Sequence, residues 1–294
     1  MTDVPLAFTG ERFTPECVRE IRYEHWHRYA FARRFVAGKR VLDAACGEGY
    51  GSSLLAGVAA SVVGVDIDAE TVRHARGRYS GADNLRFEQG DATRLGMPAG
   101  AFDVAVSFET LEHVERQREL AAGLGRVLAD DGLLIVSSPD RHAYRDVAGF
   151  ENPFHVRELY RDELVDLLRP HFGAIRLYGQ KLLFQSAIWS LDPAEGPIGV
   201  ATAAGEGGTI DPGFRYAPLY FIAVCARRRL PDGLPQADLF GDAEESVYMH
   251  YNHEIRKNMA AGARIAELEA EIESLKARGP GYRWRWWRGG RTRG

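Results

Sequence analysis

Between residues 40 and 138, short apolar runs rich in Val, Ile and Leu alternate with stretches of helical spacing. A strand covered on both faces needs apolar residues at successive positions, and crossover helices supply the cover. The pattern therefore predicts parallel strands at 40–45, 61–66, 85–88, 102–107 and 132–138. Segments 174–180 and 219–226 also have strand composition, with no helical stretch between them, so they can pair antiparallel. The expectation is an α/β fold built on a doubly wound, seven-stranded, mostly parallel sheet.

The remaining pattern is helical or irregular. Residues 16–35 predict a helix lying outside the sheet, and 158–169 another helix after the fifth strand. Residues 192–213 are rich in Gly, Pro and Ala, which suits either a functional cover or a disordered insertion. From 246 to 276 the spacing is helical again, and Ile265, Leu268, Ile272 and Leu275 recur at intervals of three, four and three. That is a short a/d seam, fit for a coiled coil or for packing on the helix's own domain. The domain plan is a helical cap at 1–38, a catalytic domain at 39–229 with an insertion at 192–213, a linker at 230–245, a coiled-coil extension at 246–276 and a tail at 277–294.

Composition refines this picture. With 294 residues, 45% of them hydrophobic, the chain can bury a full core. A net charge of −4 gives no case for a nucleic-acid partner. The charge is uneven, because the tail carries Arg278, Arg283, Arg285, Arg288, Arg291 and Arg293 without an acid. Cys17, Cys46 and Cys225 fit neither a metal pattern nor an even disulfide framework, so a reducing, cytoplasmic setting is expected. No signal-like or membrane-spanning apolar run is present, although the Trp- and Arg-rich tail suits peripheral contact with a membrane.

The segment VLDAACGEGYGS, residues 41–52, carries the candidate chemistry. A strand enters Asp43, and Gly47, Gly49 and Gly51 allow a tight turn where backbone can approach a ligand. Ser52 stands where a dinucleotide fingerprint needs its third glycine, and no GK[ST] sequence follows, which excludes a P-loop. Asp66 ends the second strand, placed to accept from ribose hydroxyls. Asp91 follows the third and can accept from an adenine amino group. With FDVAVSFETLEHV after them, these motifs resemble the class I S-adenosylmethionine-dependent methyltransferases, over about 39–226. The resemblance implies a Rossmann-like methyltransferase fold and S-adenosylmethionine as cofactor. It implies that Asp43, Ala45, Gly47 and Gly49 hold the methionine part, that Asp66 takes the ribose, that Ile67 beside it also contacts the cofactor, and that Asp91 and Ala92 take the adenine edge. Ser107 and Phe108 would line the pocket beneath the sulfonium.

After the fourth strand come Glu109, Glu112 and His113 at i, i+3 and i+4, which share one face if a helix starts there. His155 in NPFH adds a fourth group. Two carboxylates and two imidazoles can hold a divalent cation. Glu-x-x-Glu-His with a later His resembles the metal set of small-RNA 2'-O-methyltransferases, and its first part resembles the ubiquinone O-methyltransferases; the resemblance implies Mg²⁺ at the acceptor hydroxyl. Without metal, Glu112 and His113 serve packing or capping, and His113 or His155 remains the candidate general base. TGERFTPE, RYEHWHRYAFA, NPFHVREL and YGQKLLFQSAIW together resemble methyltransferases of bacterial surface-polysaccharide assembly. That implies a glycan acceptor; a small aromatic or natural-product acceptor and a noncatalytic scaffold are the alternatives. Tyr23, Trp26 and Tyr29 suit a sugar-facing lid or a packed helix. A homo-oligomer, or a partner docked through the C-terminal helix, is expected.

Overall fold

The computed structural model describes residues 20–192, 196, 198–205 and 208–277. These fall into two compact units divided between Phe240 and Gly241. In the first, seven strands form one sheet: β1 Arg40–Ala44, β2 Ser61–Asp66, β3 Leu85–Gln89, β4 Phe102–Ser107, β5 Leu128–Pro139, β6 Ala174–Gln180 and, last along the chain, β9 Tyr220–Ala226. The order across the sheet is β3-β2-β1-β4-β5-β9-β6. β1 to β5 pair in parallel, whereas β9 lies antiparallel between β5 and β6. The fold is thus the expected mostly parallel, doubly wound sheet.

Side chains alternate across each strand, so neighbouring positions feed opposite cores. In β1, Val41 packs with Leu55 and Val62 on one face, while Leu42 and Ala44 pack with Leu120, Leu124 and Leu164 on the other. The first face is covered by α1 Glu20–Arg33 and α2 Tyr50–Ala56, and the second by α4 Gln117–Val127 and α5 Arg161–Leu168. α3 Ala69–Arg78 follows β2 and is capped by Asp68, whose carboxylate accepts from the Glu70 amide at 2.9 Å.

Two segments carry more structure than the sequence reading gave them. Within 192–213, the described residues include a two-stranded hairpin of β7 Ala201–Ala204 and β8 Thr209–Pro212. Residues 230–240 pack instead of spanning freely: Leu230 and Leu234 lie against the core, and the Tyr178 hydroxyl donates to the Pro235 carbonyl. The second unit holds α6 Ser246–Ala277, a single helix of 32 residues. No described helix is long and apolar enough to cross a membrane. Residues 1–19, with the TGERFTPE motif and Cys17, and the basic tail from 278 onward lie outside the described residues; Cys46 and Cys225 are buried free thiols.

Candidate functional site

β1 delivers Asp43 into the interior, and the chain then turns sharply. Ala45, Gly47 and Gly49 take φ values of 61°, 54° and 95° before α2 begins. A side chain at Gly49 would meet the Phe87 ring at 2.8 Å, and one at Gly51 would lie within 2.0 Å of the Tyr29 ring. The second and third glycines therefore serve internal packing as well as the turn. Glu48, fully buried, pins the loop to α3 by accepting from the Tyr79 hydroxyl at 2.8 Å and lying 3.2 Å from both His74 and Arg78. Burial pushes its carboxyl above the usual range, against these partners.

The Asp43 carboxylate accepts from Ser52 Oγ at 2.6 Å and from the Tyr29 hydroxyl at 3.2 Å. Ser52, which breaks the dinucleotide fingerprint, thus has a partner of its own. Burial raises the Asp43 carboxyl to about 7, with Asp66 adding to the shift and the two hydroxyls opposing it. Asp66 accepts from the Gly47 amide at 2.9 Å and the Asp68 amide at 3.0 Å, one on each oxygen. A carboxylate has about four acceptor positions, so two remain for a ligand. Beside it Ile67 is 69% exposed, an apolar face at the rim. Asp91 is more committed: it caps the short turn that starts at Ala92, accepting from the Thr93 amide and hydroxyl, and it pairs with Arg116 at 2.8 Å. Those bonds hold its carboxyl below the ordinary range. Ser107 is buried, its hydroxyl without a hydrogen-bond partner among the described residues, and Phe108 meets the Tyr29 ring edge-on at 5.0 Å.

At the end of β4 the expected helix face does not form. Glu109 occupies a left-handed turn at φ 48°, ahead of a single 3-10 turn at Leu111–His113. Its carboxylate accepts from Ser137 Oγ at 2.6 Å and lies 3.5 Å from Arg28. The predicted four-ligand set thereby loses Glu109. Glu112, His113 and His155 do converge, with one ligand atom from each within 4.8 Å of the others. Glu112 is buried with Oε2 unpartnered among the described residues, and burial, then the Glu109 charge, push its carboxyl well up. His155 Nδ1 lies 2.7 Å from Glu158 Oε1, an arrangement that orients the ring. One carboxylate and two imidazoles suit a transition-metal dication better than Mg²⁺, which favours oxygen.

Sequence reasoning missed Arg28 on α1. Arg28 is buried, with Nε on Gln180 Oε1 at 2.8 Å and its guanidinium 4.5 Å from the centre of the Tyr220 ring. Neither Nη atom has a hydrogen-bond partner among the described residues, and Nη2 lies 3.5 Å from Glu109 Oε1 as an ion pair. Tyr29 and Trp26 pack against Tyr50 toward the glycine loop. On another side of the helix, Tyr23, His27 and Phe31 line a cavity of about 930 Å³, closed by β6, residues 214–218 and 236–240. Asp140 and His142, just past β5, reach the same cavity, whereas none of the expected cofactor residues lines it. The helical spacing of 23, 27 and 31 was the only local signal for this wall.

Glycine loop, Asp66 and the strand order describe one domain type. Residues 42–136 match the methyltransferase domain. Proteins similar to this chain include a probable S-adenosylmethionine-dependent methyltransferase of Mycolicibacterium smegmatis, 39% identical over 168 residues, which cover 55% of this chain and 63% of that one. The ubiquinone biosynthesis O-methyltransferase of Thiobacillus denitrificans is 32% identical over 118 residues, 40% of this chain and 51% of the relative. The chain thus spans less than two thirds of the length of these relatives. Among solved structures, an S-adenosylmethionine-dependent methyltransferase of Thermotoga maritima has a TM-score of 0.51 at 17% identity, covering 70% of this chain and 90% of its own. A protein of Pyrococcus horikoshii reaches 0.52 at 19% identity, covering 75% and 96%. At such identities these two support the fold alone.

Proposed function

We propose that the protein is an S-adenosylmethionine-dependent O-methyltransferase acting on a sugar hydroxyl of a glycan or glycosylated metabolite. The observation that carries the reading is a juxtaposition: the Asp66-anchored glycine loop at the end of β1 and β2 lies one strand from the Glu112, His113 and His155 cluster after β4. The residues fit the cofactor. Asp66 has acceptor capacity left for two ribose hydroxyls, Ile67 offers an apolar face to a flat base, and Asp43 sets a buried carboxyl group beneath the loop that a bound cation would ionise. Bound S-adenosylmethionine supplies an activated methyl group, so the protein's work is to align the acceptor, exclude water and remove a proton.

His155, oriented by Glu158, is the proposed proton acceptor, with His113 beside it at a ring distance of 4.9 Å. The same three side chains would hold a divalent cation, which would ease ionisation of a hydroxyl. The cavity along α1 supports a polyhydroxylated acceptor. Tyr23, Phe31 and Tyr216 offer ring faces, while the carboxyl groups of Glu24 and Asp140 stand within the same walls.

The test is methyl transfer from labelled S-adenosylmethionine to neutral oligosaccharides, uronic-acid oligosaccharides and catechol-type acceptors, each with and without exhaustive chelation. Labelled oligosaccharide is the expected product. Labelling of the aromatic acceptors alone would overturn the glycan reading, and full activity after chelation would remove the cation while leaving His155 as base.

A further inference from the structure

The exposed seam of α6 extends further than its four aliphatic residues. Ile265, Leu268, Ile272 and Leu275 are 41–59% exposed, an apolar stripe along one face of the helix. Setting Ile265 and Ile272 at heptad position a and Leu268 and Leu275 at d extends the register back to Ala261 at d and Asn258 at a. Ile at a with Leu at d favours two parallel strands, and one Asn at a fixes register and copy number. The flanking charges agree. Position g holds Arg264 and Glu271, and position e holds Glu269 and Lys276. In a parallel, in-register pair, g of one helix faces the following e of its partner. Arg264 then meets Glu269 of the second copy, and Glu271 meets Lys276, so every g–e contact is attractive.

We infer that α6 pairs with a second copy of this chain, as a parallel, in-register two-stranded coiled coil running from Asn258 to Leu275. Nearer the helix start, Glu254 falls at d, and the exposed Ile255 and Met259 lie off the stripe, which ends the seam there. Two and a half heptads make a weak seam, so the dimer forms reversibly with concentration. In-register pairing also makes the two chains leave the helix ends side by side.

Sedimentation equilibrium of the full chain over a wide concentration range tests this. The wild type should pass from monomer to dimer, and Ile265→Asp with Leu268→Asp should raise the dissociation constant at least a hundredfold. Orientation is read by charge exchange on the exposed helix surface. Arg264→Glu with Glu271→Lys, and separately Glu269→Lys with Lys276→Glu, should each weaken self-association at least tenfold, because every g–e contact becomes repulsive. Mixing the two variants should restore dimers, since all contacts between them are again attractive. Antiparallel helices place g against g, so the first variant would keep its attraction, and undiminished self-association would overturn the parallel arrangement. A monomeric wild type at every concentration, including a chain that associates only with a different protein, would overturn the second copy as occupant.

Discussion

Asp66 and Asp43 end neighbouring strands, yet their surroundings give them opposite tasks. Asp66 keeps two acceptor positions beyond its bonds to the Gly47 and Asp68 amides. Asp66→Ala removes those bonds together with the acceptor for two hydroxyls. Hydrogen bonds to a charged group contribute about 1.5–3 kcal/mol, so the dissociation constant for S-adenosylhomocysteine should rise roughly ten- to hundredfold by calorimetry. Undiminished affinity in a folded variant would remove Asp66 from the cofactor site. Asp43 holds its proton up to about pH 7 because burial penalises its charge. In the unfolded chain it ionises near its ordinary value of 3.8, so between there and about 7 the folded state binds the extra proton. Its contribution to stability is therefore present at low pH and is lost as pH rises through that window. A cationic cofactor favours the carboxylate instead, so affinity should increase with pH up to about 7 and then level off, with a proton released on binding. Asp43→Asn should abolish both dependences; a pH-independent affinity in the wild type would contradict the linkage.

At the scale of elements, α1 is the part that joins the two halves of the site. Its Tyr29 reaches Asp43 and its Arg28 reaches Glu109, and the fit requires a glycine where α2 passes beneath. Gly51→Ala places a methyl inside the Tyr29 ring's volume, so the ring must move and the hydroxyl must leave Asp43. Overpacking of this kind costs about 1–3 kcal/mol, measurable by urea unfolding, and cofactor affinity should fall with it. Gly77 in α3 has open space around it, so Gly77→Ala is the control and should stabilise by about 0.5–1 kcal/mol. The strands of the sheet were legible because strands buried on both faces must be apolar at successive positions. Their order was not: nothing in the composition of 220–226 says that it inserts between β5 and β6. The acceptor side was misread at one residue for a related reason. Glu-x-x-Glu-His has helical spacing, but Glu109 lies in a left-handed turn set by Ser137, 28 residues away, and local periodicity carries no record of such a contact. Arg28 was overlooked because its partners Gln180 and Tyr220 are still more distant in sequence.

At the scale of the whole molecule, the tail offers a separate test. Tyr282, Trp284, Trp286 and Trp287 alternate with arginines in the sequence, and a pair of chains joined through α6 would present two such segments together. Aromatic rings and guanidinium groups suit the headgroup layer of an anionic membrane. Pelleting with anionic vesicles should therefore be salt-sensitive and lost on truncation after Lys276, with methyl transfer in solution unchanged. Equal pelleting of the truncated chain would exclude the tail as the anchor. The position of β9 bears on how the molecule comes into being. Because β9 lies between β5 and β6, a nascent chain that has emerged only through residue 219 holds β5 with one edge unpaired and β6 with no neighbour in the sheet. Arg28 has by then waited through most of synthesis without the Tyr220 ring. The two sides of the site are thus sealed by the same late strand, and a ribosome-bound chain halted before Tyr220 should remain open to protease at α1 and β6, while one extended beyond Ala226 by the length of the exit tunnel should be protected.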